Sequence, residues 1–113
     1  MKSGILVAAL SALALSTSAA YGADSIKVGF LSTLSGPGGV VGIEIRDGFE
    51  LAMKHLNGKL GDLPATVIVE DDKQKADVGR QAVDRMLKRD HVDVMTGMVF
   101  SNVLLPVMPS ILA

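Results

Sequence analysis

Residues 26–42, IKVGFLSTLSGPGGVVG, decide the fold. Ile26 to Leu31 is a short, mostly apolar run after a charged entry, the composition of a strand buried in a sheet. Ser32 to Gly42 then packs four glycines, one proline and three hydroxyls into eleven residues, which predicts a loop. Beyond it, Ile45, Phe49, Ala52, Met53 and Leu56 recur at helical spacing. They predict a helix from Ile43 to Asn57, with Glu50 and Lys54 paired on its outer side and Asn57-Gly58 as its stop. Strand, glycine-rich loop and helix form the first half of a β-α-β unit.

The rest of the chain repeats this alternation. Thr66 to Val69 is β-branched without interruption, follows the turn residues Gly61, Asp62 and Pro64, and runs into Glu70, Asp71 and Asp72, so it predicts a second strand that is apolar on both faces. Ala76 to Lys88 places Gly79, Ala82, Val83, Met86 and Leu87 on one side of a second helix. Val92 to Met95, closing at Thr96-Gly97, predicts a third strand, and Val103 to Ala113 opens a third helix despite Pro106 and Pro109. Strands separated by helices of this length imply right-handed crossovers. The expected fold class is α/β, a doubly wound parallel sheet covered on both faces. A sheet of three strands leaves an unpaired edge, and so small a domain is marginal by its surface-to-volume ratio, so the chain is expected to be an incomplete lobe.

The amino-terminal stretch predicts the compartment. Met1 and Lys2, the apolar run from Gly4 to Leu15 and the small, polar stretch from Ser16 to Ala23 form the three-part pattern of a secretory signal peptide over residues 1–23, leaving residues 24–113 as the folded product. The apolar run is about a dozen residues, whereas a bilayer core needs roughly 20 at helical rise, so no permanent membrane anchor is expected. With 11 Lys and Arg against 12 Asp and Glu and no basic block, nucleic acid binding has no electrostatic footprint. Cysteine is absent, which excludes disulfides and thiol nucleophiles.

In an open parallel sheet, ligands sit where loops leave the carboxyl ends of the strands at the point of strand-order reversal, and helix amino termini aim free N–H groups there. Two segments qualify. One is the glycine-rich loop Ser32 to Gly42. The other is Met98 to Asn102, where Ser101 or Asn102 would cap the third helix. A hydroxyl beside unpaired backbone donors suits a carboxylate. A plain N-cap explains Ser101 equally well.

These residues also carry a resemblance. The strand IKVGFL, Leu34-Ser35-Gly36-Pro37, Gly42 and Gly48, Ala52 with Leu56-Asn57-Gly58, the Glu70-Asp71-Asp72 strand end and Val94 to Asn102 together resemble the amino-terminal part of a periplasmic solute-binding protein of the branched-chain amino acid type, the receptor of an ABC importer. The resemblance implies a type I periplasmic binding protein lobe, present only in part. It also implies hinged closure of two lobes over an amino acid or other small carboxylate, delivery to a membrane permease, and no cofactor or bond chemistry. It places the carboxylate-holding serine at Ser101, with Asn102 beside it, and puts Val41 and Ser35 at the loop positions near the ligand. Relatives selecting aliphatic amino acids often carry an aromatic residue where Val41 stands, so aromatic and aliphatic acids both stay open. Ser35 has an equally good explanation as a turn residue before Gly36-Pro37. A ligand-sensing domain of a regulator or signalling receptor, which shares the fold, is the alternative.

Other signals fail on spacing. A dinucleotide fingerprint starting at Gly36 would need glycine at Val41, and no Lys-Ser or Lys-Thr closes the loop as in a P-loop. Glu70, Asp71 and Asp72 are consecutive on a strand, where side chains alternate, so a solvated turn is expected in place of a cation site. A phospho-acceptor receiver would want acids where Ser32 and Thr96 stand. His55 and His91 have no nucleophile and orienting acid in register, and surface positions are expected for both.

Overall fold

The computed structural model describes residues 23–113. The expected leader lies, but for its last residue, outside the described residues. The elements follow in the order β1 (Ile26–Ser32), α1 (Gly39–His55), β2 (Lys59–Leu60), β3 (Leu63–Asp71), α2 (Ala76–Lys88), β4 (Val94–Thr96) and α3 (Ser101–Leu112).

The four strands form one sheet in the order β2-β3-β1-β4. β1 lies between two parallel neighbours, paired with β3 from Ile26↔Ala65 to Ser32↔Asp71 and with β4 from Val28↔Val94 to Phe30↔Thr96. It is accordingly apolar on both sides, with Val28, Phe30 and Leu31 almost wholly buried. The crossover through α1 leads to one side of β1 and the crossover through α2 to the other. Strand order therefore reverses at β1, and the helices fall on opposite faces, the doubly wound arrangement expected.

One face carries α2 and α3. The Gly79, Ala82, Val83, Met86 stripe of α2 is buried, and Leu31, Ala82, Val83, Met86 and Val107 form a closed core. A Cβ on Gly79 would come within 2.6 Å of Val103 Cγ1, so the glycine lets α2 and α3 approach closely. Pro106 and Pro109 lie inside α3, past its first turn, where each removes an amide from the helix ladder.

The opposite face carries α1, whose Phe49 ring lies 5.2 Å from that of Phe30. Here the sequence reading needs three corrections. The glycine-rich loop is shorter than Ser32 to Gly42, because α1 already begins at Gly39 and Val41 belongs to its first turn. A Cβ at Gly42 would lie 1.8 Å from the Thr33 carbonyl oxygen, so this glycine serves a close helix-to-backbone approach and no turn. That contact also fixes the rotation of α1. Gly39, Gly42, Arg46, Phe49 and Met53 turn inward, while Ile45, Ala52 and Leu56 of the expected apolar face stay exposed. On the outer side Glu50 approaches Arg46 at 3.9 Å and Lys54 is not its partner.

The chain leaves α1 through Asn57 and Gly58, both left-handed, with the Gly58 amide donating to the Met53 carbonyl at 2.8 Å. It then makes a short antiparallel hairpin, Lys59↔Pro64 and Leu60↔Leu63, which the sequence reading missed. Two residues are too few to show a period.

Candidate functional site

The carboxyl ends of β1, β3 and β4 open into three connections, residues 33–38, 72–75 and 97–100, and these converge at Gly38. A Cβ built on Gly38 would lie 2.7 Å from Gln74 Oε1 and 2.8 Å from Phe100 Cε2. A larger residue there would push aside the Gln74 carboxamide and the Phe100 ring. The Asn102 side-chain amide donates to the Gln74 carbonyl at 3.0 Å, tying the start of α3 to the β3–α2 turn.

The acidic strand end is the brace beneath this meeting point. Asp72 is fully buried, and its Oδ1 accepts from Thr33 Oγ1 at 2.5 Å and from the Gln74 amide at 2.7 Å. Asp71 accepts from the Leu34 and Lys73 amides, each at 2.8 Å, and from the Ser35 hydroxyl. Glu70 faces away and forms a two-pronged pair with Arg85 of α2. The solvated-turn expectation is therefore corrected. Side chains on a strand alternate, yet the chain beyond β1 curls over the end of β3 and supplies donors to both aspartates. Burial opposes ionisation of Asp71, but the hydrogen bonds from Ser35, Leu34 and Lys73 and the nearby Lys73 charge outweigh it and hold the carboxyl below its ordinary value. Asp72 Oδ2 and, on the other face, Ser32 Oγ are buried without a partner among the described residues.

The four residues singled out from sequence separate in the structure. Ser101 is the first residue of α3 and exposed. The cap position falls to Phe100, and no side chain caps the helix. The Phe100 carbonyl accepts from Val103 and Leu104, while the amides of Ser101 and Asn102 have no acceptor among the described residues. The N-cap expectation for Ser101 or Asn102 is thus corrected: Ser101 is already helical, and the Asn102 amide is drawn sideways to Gln74. Ser35 commits its single donor to Asp71, as part of the brace. Val41 stands on the first turn of α1, 43% exposed. Gln74 and Phe100 were missed. A Lys-Gln pair after two aspartates carries no sequence signal for a left-handed turn, and a lone phenylalanine before a serine carries none for loop packing. His55 and His91 are exposed, as expected.

The site is thus an open surface at the carboxyl ends of the strands, braced from beneath by the aspartates, with an exposed hydroxyl and uncapped amides at the start of α3. The profile of the periplasmic binding protein family matches residues 25–113. The chain belongs to that family. It is 29% identical over 106 residues to Leu/Ile/Val-binding protein homolog 6 of Brucella abortus, a match covering 93% of this chain and 27% of that protein. An ABC transporter substrate-binding protein from Sphaerobacter thermophilus superposes with a TM-score of 0.74 at 30% identity, covering 78% of this chain and 24% of the other. A solute-binding protein of an R. palustris ABC transporter, in complex with benzoate, superposes with a TM-score of 0.71 at 27% identity, covering 76% and 24%. The chain spans about a quarter of the length of these relatives.

Proposed function

We propose that this periplasmic binding protein chain supplies one wall of the ligand crevice of an extracytoplasmic solute receptor, which captures a small carboxylate and presents it to the membrane permease of an ABC importer. Capture is by closure around the ligand and involves no bond chemistry. Supporting this reading above all is the exposed, uncommitted hydroxyl of Ser101 at an uncapped helix start, beside the point where three strand-end connections meet. In this role Ser101 and the amides of residues 101 and 102 hold the carboxylate. Asn102 keeps one amide hydrogen free beyond the Gln74 tie, and Val41 borders the ligand from the first turn of α1. Ser35 contributes by holding its loop, since its donor is spent on Asp71. Benzoate-type acids and branched-chain amino acids are the two ligand classes, drawn from the R. palustris and Brucella relatives respectively.

The crevice is open, and no enclosed pocket forms among the described residues. A carboxylate held on one wall only binds weakly, in the millimolar range, on the order of 4 kcal/mol. Titrating the isotope-labelled chain with millimolar benzoate or leucine, followed by amide NMR, is expected to shift Ser101 and Asn102, and Ser101→Ala is expected to abolish the response. Shifts that survive Ser101→Ala, or that arise only far from α3, would overturn the assignment.

A further inference from the structure

We propose that Gln74 is a second ligand-contacting residue of this crevice, reading a hydrogen-bonding oxygen that the ligand carries in addition to its carboxylate. The inference rests on the carboxylate site proposed at Ser101. Its first support is backbone conformation. Lys73 and Gln74 are consecutive non-glycine residues with φ of 53° and 58°, a left-handed pair that long side chains rarely adopt. The chain makes another left-handed pair at the end of α1, and there it uses Asn57 and Gly58, the residues that enter that region most easily. At 73 and 74 the cost is accepted and the turn is held by force. Asp71 takes the Lys73 amide, Asp72 takes the Gln74 amide, and Asn102 donates to the Gln74 carbonyl. Strain maintained in this way marks a place where a side chain has to be delivered.

The second support is where the side chain arrives. Gln74 Oε1 and the Phe100 ring both lie within 3 Å of the position a Gly38 Cβ would occupy, so they are neighbours; Phe100 immediately precedes Ser101, and Asn102 ties the start of α3 to the Gln74 carbonyl. The backbone of Gln74 is fully engaged, yet its carboxamide makes no hydrogen bond among the described residues. A half-buried amide with a donor and an acceptor unspent, set beside an aromatic ring, matches a small acid with a hydroxyl or similar oxygen remote from the carboxylate. The acidic brace is not the ligand site in this reading: Asp71 and Asp72 act through the turn, as positioning residues.

The test titrates the whole labelled chain with 4-hydroxybenzoate and, in parallel, benzoate. Both acids are expected to shift the Ser101 amide, and only 4-hydroxybenzoate to shift the side-chain NH2 of Gln74 strongly. Gln74→Leu is expected to weaken 4-hydroxybenzoate about fivefold and benzoate less than twofold, the loss of one hydrogen bond. Gln74→Glu preserves shape and checks that the Leu variant has not merely disturbed the turn, and it is expected to weaken both acids through repulsion. Equal weakening of both acids by Gln74→Leu, or of neither, would overturn the role of Gln74 while leaving Ser101 in place. Absence of any Ser101 response to either acid would overturn the crevice and this inference together.

Discussion

On the face of the sheet covered by α2 and α3, Leu31, Ala82, Val83, Met86 and Val107 are fully closed off from water. On the face covered by α1, Val69 and Val94 of the sheet are 40% and 52% exposed, and Ile45 and Leu56 of the helix are also exposed. Both faces are built from the same residue types. What separates them is that two helices wedge together on the first, through Gly79, while a single helix lies on the second, held at its amino end by Gly42 and along its length by Phe49. Val28 and Phe30 are buried on the α1 face as Leu31 is on the other, so what the α1 face lacks is closure over the strands that flank β1, and α1 also places the loop that leads to the crevice.

Three substitutions test this division. Leu31→Ala removes the side chain around which the closed core is packed and is expected to cost about 3 kcal/mol in urea unfolding followed by circular dichroism. Gly42→Ala drives a methyl group into the Thr33 carbonyl, and α1 has to lift. Its expected cost is about 2 kcal/mol, with the amide signals of residues 33–42 displaced and those of α2 unchanged. Val69→Ala, on the half-covered face, is expected to cost under about 1 kcal/mol. If Val69→Ala proved as damaging as Leu31→Ala, the two faces would be equally closed in solution and the contrast would be lost.

The fold was largely legible from the residues. The stripe Gly79, Ala82, Val83, Met86 fixed α2 to its observed bounds, because every inward position of that helix is small or apolar and every outward one polar. The start of α1 was not legible. Four glycines close together look like a loop whether they serve turns, as at Gly36 with its φ of 76°, or close packing, as at Gly42. Only the Thr33 carbonyl distinguishes the two, and it becomes a neighbour only after folding. The site was half legible. Ser101 could be placed by its position after a strand and before a helix, but the aspartates were mistaken for a solvated turn because the donors that satisfy them come from residues 33–35, more than thirty positions earlier. Pattern alone left Ser101 even between a ligand contact and a simple cap, and the structure removes the cap, since Phe100 holds that position.

The prolines of α3 bear on what secures that helix. With no amide at 106 or 109, the carbonyls of Asn102 and Leu105 lack their helical partners, so this helix is held less by its own ladder than by what it packs against. Val103 and Val107, both fully buried, supply that packing, and Asn102 fastens the first turn to the neighbouring one. An element with gaps in its own backbone bonding is thus kept in position by its neighbours.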